Sequence, residues 1–249
     1  MTTTLVRFRR KVLALAASVA LGAGSIGVGA APVSAATGDI ASFDVGPGAK
    51  PVDIVTAPDG TLWSANEGAN SISRITPNGQ ITSYPVPGTG PNSLTFGPDG
   101  AVWFTYSGTA AVGRMDTSGV ARNFPTGGSD RIGTDIATGP DGAVWFTLPV
   151  QGLLGRVTMG GNVNFYVGAG QAVSLTPGPG RSPGMYVGAG VDGIREVSGR
   201  GSTSIPVPPN ARGVGAIQNV GGTIWFGMND AQQQPKLVRL SQGDFLEVN

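Results

Sequence analysis

The feature that most constrains this 249-residue chain is a period. An aromatic residue returns in one local setting at Trp63 (GTLWSA), Trp103 and Trp145 (GAVWFT), Tyr186 (GMYVG) and Trp225 (GTIWFG). The intervals are 40, 42, 41 and 39 residues. The nonapeptide GPDGAVWFT even occurs letter for letter at 97–105 and 139–147. A turn and a strand can be built from many sequences, so verbatim reuse marks duplication of a whole structural unit. Self-similarity at this period is what propeller blades produce.

Each unit holds four strand-like pieces separated by turn residues. In the first they are DIVTA, TLWSA, SISRIT and QITSYPV, parted by PDG, EGAN and PNG. Alternating β-branched and aromatic residues bounded by Gly, Pro, Asn and Asp spell a meander of antiparallel strands. The expected fold is therefore all-β: a β-propeller of four-stranded antiparallel blades, five by the count of units. In GPDG the proline presets the turn, aspartate suits its third position and glycine closes it. Asp59, Asp99 and Asp141 thus read as equivalent corners of separate blades rather than as a carboxylate cluster.

The first 35 residues read as an export signal. Arg7, Arg9, Arg10 and Lys11 precede an apolar, small-residue run, and PVSAA offers small residues for cleavage after Ala35. A retained anchor is the competing reading, which the glycines in the run and the cleavage pattern disfavour. Residues 36–249 then form one propeller domain in an extracellular or cell-envelope setting. Removing the signal leaves 12 Lys+Arg against 15 Asp+Glu, a net charge of −3. Nucleic acid is then not an expected partner, and no stable membrane anchor remains. There is no cysteine, so an exported fold of this kind stands on its core alone.

The motif GPDGAVWFT followed by AAVGRM or GLLGRV, together with NGQITSYPVPGTGP, resembles the virginiamycin B lyase (streptogramin lyase) family. The likeness runs through essentially the whole mature chain. It is sharp in the first three units and weak in the fourth, where GPGRSPGMYVGAG lengthens the turn. The resemblance implies a seven-bladed ring and a magnesium-assisted lyase that opens streptogramin B antibiotics by elimination, with a histidine base near acidic residues. The chain departs from that pattern three times. It has five units, it has no histidine, and the position after WFT, where the family often has Glu, holds Asn66, Tyr106, Leu148, Ala189 and Met228 in turn. Magnesium asks for hard oxygen ligands, which this set does not supply. Glu67 is the single carboxylate close to those positions.

Zinc and Cys/His nucleophiles are excluded because both residue types are missing. Arg74, Arg114, Arg156 and Arg239 recur on the third strand of four units. Each is expected to lay its stem across its own blade and bond a loop carbonyl. The segments 66–71, 127–135, 188–193, 208–213 and 228–235 differ between units and are expected at the ring mouth, as suits a binding surface on a regular scaffold. From the mouth and the positions after the conserved strand come the candidate contacts for a small molecule or protein: Asp53, Asn66, Tyr106, Asp130, Arg131, Asp135, Asp192, Arg212, Asn229 and Asp230. Arg131 and Asp135 are expected in exposed loop.

Three functions fit: a non-catalytic binding propeller with no cofactor, a lyase using magnesium or other carboxylate chemistry, and a structural surface protein. The absence of histidine disfavours the second, and the varied mouth loops the third. A closure follows from the terminal strands. GDIASFDV (38–45) matches the fourth-strand piece GQITSYPV, so residues 38–45 are expected to pair with 235–240 and close the ring, displacing the C-terminal GDFLEV.

Overall fold

The computed structural model describes residues 42–130, 132–179, 184–208, 211, 213–241 and 244–248. The export segment, Arg131, Arg212 and the lengthened turn at 180–183 lie outside the described residues.

Among the described residues, twenty strands fall into five four-stranded antiparallel sheets, each in simple sequence order. Blade 1 is β1 (Pro51–Thr56), β2 (Leu62–Asn66), β3 (Ser71–Ile75) and β4 (Ile81–Pro85). Blade 2 is β5 (Pro91–Phe96), β6 (Val102–Tyr106), β7 (Ala111–Met115) and β8 (Ala121–Pro125). Blade 3 is β9 (Ile136–Thr138), β10 (Val144–Leu148), β11 (Leu153–Val157) and β12 (Val163–Val167), with a 3₁₀ turn at Pro149–Gln151. Blade 4 is β13 (Ser174–Pro177), β14 (Met185–Gly188), β15 (Ile194–Ser198) and β16 (Gly201–Ile205). Blade 5 is β17 (Ile217–Val220), β18 (Thr223–Asn229), β19 (Pro235–Ser241) and β20 (Asp244–Val248). The all-β, five-bladed propeller expected from the period is the fold.

Alternation along each strand gives every blade two faces, and the core lies between blades. Trp63, Ala65 and Ile72 of blade 1 meet Leu94, Val102, Phe104 and Met115 of blade 2. Trp103 and Val112 of blade 2 meet Ile136, Val144 and Phe146 of blade 3 in the same way. Trp145 and Leu154 face Leu175, Met185 and Val187, and Ile194 faces Ile217, Phe226 and Val238. The repeated tryptophan is thus the anchor on the forward face. Burying 150–250 Å² of such a side chain is worth about 4–6 kcal/mol in transfer free energy.

The turn aspartates are structural, and they do more than shape a corner. Asp99 Oδ1 accepts from Trp103 Nε1 at 3.0 Å, and its Oδ2 accepts from Arg114 Nε at 2.6 Å. Asp141 repeats the arrangement with Trp145 at 2.9 Å and Arg156 at 2.6 Å. The guanidinium carbon sits over the tryptophan ring at 5.9 Å and 5.8 Å in the two blades. Arg74, Arg114 and Arg156 therefore pair with a carboxylate of their own blade, not the loop carbonyl expected for them. A planar fork with a full charge gains more from a carboxylate than from a neutral acceptor.

The expected closure is overturned at the C-terminus. β20 pairs with β19 from Leu237↔Val248 to Ser241↔Asp244, so the C-terminal piece holds the outer place of blade 5. Residues 42–45 form no strand. A hairpin partner next in sequence closes with little loop entropy, whereas the N-terminal segment would have to be fixed across the whole ring. That segment has another seat. Phe43 packs against Gly79 of blade 1 as Tyr84 packs against Gly119 of blade 2 and Phe124 against Gly161 of blade 3. It stands where the outer strand of a blade preceding blade 1 would stand.

Candidate functional site

One residue at or near the start of each inner strand lines the axial cavity, and these positions form a belt. In chain order they are Asp53, Ser93, Asp135, Ser174 and Ala216, each followed by Ile or Leu. Asp53 Oδ2 accepts from Leu94 N at 2.7 Å and from Ser93 Oγ at 3.3 Å, both of blade 2. Ser93 Oγ also lies 2.9 Å from Asp135 Oδ1 of blade 3. Asp135 Oδ2 accepts from Leu175 N of blade 4 at 3.0 Å, and Ser174 Oγ accepts from Ile217 N of blade 5 at 3.3 Å. The belt staples each blade to the next and ends at Ala216, whose side chain carries no polar atom. Register shifts between Pro51 and Asp53 and between Pro91 and Leu94 help aim these side chains inward.

Around the belt lies a cavity of about 360 Å³, in the range of small-molecule sites. Asn92, Thr134 and Gln218 bring polar groups to it, while Val173, Trp225 and Leu237 make an apolar wall. Trp225 and Leu237 belong to the forward face of blade 5, and Val173 leads into blade 4. The inner strands β1, β5, β9, β13 and β17 pack in succession, but among the described residues β17 and β1 share no comparable contact. Both end faces reflect this. Ile54 of blade 1 is 42% exposed, whereas its counterparts Leu94 and Ile136 are fully buried. Leu237 of blade 5 is 49% exposed, and Trp225 is half-buried where Trp63 and Trp103 are fully enclosed.

The candidate contacts scatter. Asp53 and Asp135 come together through Ser93 at the cavity. Asp135 is buried, so the expectation of an exposed loop position is corrected: its carboxylate is spent on Ser93, Ile136 N and Leu175 N. Asn66 is enclosed and bonds Ser71 and Ser73 at 3.2 Å and 2.7 Å. Tyr106 is enclosed too, donating to Asn123 Oδ1 at 2.7 Å, and burial pushes its hydroxyl well above the usual tyrosine range. Asp130 is exposed and takes Gln151 Nε2 at 3.1 Å. Asp192 is exposed on the β14–β15 loop, and Asp230 folds the β18–β19 loop by accepting from Gln232 N and Gln234 N at 2.9 Å. Asn229 ends β18, half-buried, opposite Pro235. Arg131 and Arg212 lie outside the described residues.

Sequence reasoning passed over Ser93, Ser174, Gln218 and the free face of Trp225 and Leu237. The belt had a signal: a small polar residue before Ile or Leu, returning with the blade period at 53, 93, 135 and 174. The free face had none, because Trp225 reads like every other blade anchor.

The magnesium implied by the resemblance does not fit these residues. Asn66 and Tyr106 spend their polar atoms inside the fold, and Leu148, Ala189 and Met228 have no side-chain oxygen to offer. Among the described residues no three His, Cys, Asp or Glu side chains gather as a metal would need.

Five radial antiparallel blades around an axial cavity define a β-propeller with a ligand-sized site. The chain belongs to the virginiamycin B lyase family, whose model matches residues 22–233. It is similar to the crystal structure of virginiamycin B lyase from Staphylococcus aureus, with 27% identity and a TM-score of 0.69 over 82% of this chain and 71% of that one. A streptogramin B lyase structure matches at 27% identity and a TM-score of 0.73, over 86% and 73% of the two chains. A histidine-to-alanine variant of the Staphylococcus aureus enzyme, described as catalytically inactive and solved with quinupristin, matches at the same 27% identity, with a TM-score of 0.69 over 82% of this chain and 71% of that one. A gluconolactonase from Xanthomonas campestris shares the fold at 15% identity, with a TM-score of 0.57 over 76% and 71% of the two chains. Among curated proteins, none matches this chain in sequence.

Proposed function

We propose that this chain is an exported propeller that binds a small molecule or a protein partner at its mouth and axial cavity without performing the lyase reaction. The observation that carries the reading is the chemistry of the site. Elimination needs a group that takes a proton, and the chain has no histidine to serve as the family's base. The two carboxylates nearest the axis are committed to blade-to-blade hydrogen bonds. What remains is a cavity with an apolar wall, a few polar groups around it and varied loops above, which is the composition of a binding site.

The rival reading, a lyase acting on streptogramin B-type depsipeptides, is supported by family membership alone. Incubating the secreted protein with quinupristin and magnesium separates the two. The binding reading expects intact cyclic depsipeptide after prolonged incubation at high protein concentration, while the Staphylococcus aureus lyase linearises it in parallel. Catalytic ring opening by this chain sinks the binding reading. Export is tested on the same material: the mature N-terminus read by mass spectrometry should be Ala36.

A further inference from the structure

Blades 2 and 3 each hold a buried tryptophan and a strand-three arginine in direct cross-strand register, Trp103↔Arg114 and Trp145↔Arg156. In each, one carboxylate bridges the two side chains, with Oδ1 on the indole N–H and Oδ2 on Nε. That carboxylate always stands four residues before the tryptophan. Blade 5 keeps the pair, Trp225↔Arg239, in the same register. Four residues before Trp225 stands Gly221, in a tight Gly221-Gly222 turn with φ of 59° and 85° that has replaced PDG. The two-residue glycine turn makes a compact hairpin but supplies no acid.

The loss leaves a mark. Arg239 Nε is buried and has no hydrogen-bond partner among the described residues. A buried charged donor without an acceptor is costly, so the position stores affinity for one. Space is also present, since a side chain at Gly221 would meet nothing within 4 Å. Trp225 borders the axial cavity, and among the described residues no following blade covers its face. Blade 1 supplies a comparison. There Asp59 is drawn to Thr61 by bonds of 2.6 Å and 3.0 Å, its contact with Arg74 lengthens to 3.5 Å, and Arg74 Nε and Trp63 Nε1 are left without partners. That seat is served by a carboxylate of its own chain, which has only to turn. The blade 5 seat has none among the described residues.

We propose that the free face of blade 5 is a carboxylate-binding site in which Arg239 receives an external carboxylate against Trp225, in the place that Asp99 and Asp141 fill in their own blades. The group can come from a small organic acid or from an acidic side chain of a docked polypeptide. Leu237 and Val220, both exposed, provide apolar ground beside it. The site adjoins the axial cavity through Trp225 and Leu237, so it rests on the binding reading proposed above and names a chemical class of ligand for it, without depending on the mouth loops.

The indole N–H signals of ¹⁵N-labelled protein test this directly. N-acetylaspartate is titrated at constant ionic strength, with N-acetylasparagine as its neutral isostere. The Trp225 signal should move saturably with the acid at a dissociation constant on the order of millimolar and stay still with the amide. Arg239→Gln should weaken the acid at least about tenfold, while Arg114→Gln leaves it unchanged. Unshifted Trp145 signals show that either variant is folded. A peptide with aspartate between leucines supplies the second arm: tighter binding than N-acetylaspartate assigns the seat to a docked chain, and equal binding assigns it to a small acid. A Trp225 response shared by the amide, no response to the acid at about 50 mM, or a response that survives Arg239→Gln overturns the proposal.

Discussion

Replacing Asp99 by alanine should cost far more stability than replacing Asp59, although both stand at the same place in the same PDG turn. In blade 2 the carboxylate holds the indole N–H of a fully enclosed tryptophan and, at 2.6 Å, a guanidinium whose side chain is 19% exposed. Removing it strands a buried donor, at about 1–3 kcal/mol, and unpairs a partly buried arginine for about 1 kcal/mol more. A total of about 3 kcal/mol in a domain of this size moves the melting temperature down by about 6–12 °C. In blade 1 the Asp59 side chain is 58% exposed and 3.5 Å from Arg74, a geometry worth at most about 0.5 kcal/mol. Thermal and urea unfolding followed by circular dichroism on the two single variants reads the difference. Equal losses, or a larger loss for Asp59→Ala, would refute the claim that the bridging carboxylate acts by satisfying the buried pair.

Other expectations follow from the same geometry. Asp135→Ala strands Leu175 N and takes the shorter of the two carboxylate contacts from the Ser93 hydroxyl, and should destabilise by about 2–4 kcal/mol in urea unfolding, whereas exposed Asp130→Ala should stay within about 0.5 kcal/mol. For Asp99 and Asp141, burial alone would raise the carboxyl, but the bonds from tryptophan, arginine and backbone hold both below the usual carboxylate range. Their stabilisation is therefore full above the unfolded-state value, about 4, and is lost as pH falls through the lower folded value. Acid unfolding of the double Asn variant should accordingly show a shallower loss below about pH 4 than the parent. Deleting 243–249 removes β20 and should lower the melting temperature more than deleting 36–46, which takes away no described strand.

The repeat made the architecture readable, because turn chemistry and alternating strands recur in every unit and each local signal agrees with the global fold. The bridging role of Asp99 was hidden for a simple reason. Its partners, four and fifteen residues away, meet it only once the first three strands are folded together. The ends of the chain misled for a related reason. GDIASFDV and GDFLEV both match an outer strand, and only the three-dimensional path decides that the C-terminal one reaches β19 first. Asp135 carries the same lesson at the site. In sequence it belongs to a polar loop, yet in space it is the staple between blades 3 and 4.

The central claim, binding without lyase chemistry, is most directly tested by the fate of quinupristin. Ring opening by elimination leaves the mass unchanged, so the readout is chromatographic retention together with the fragmentation pattern, at protein in excess over substrate and with magnesium present. The account predicts a single cyclic species at all times. A linear product that accumulates with this chain, and not without it, would contradict the account.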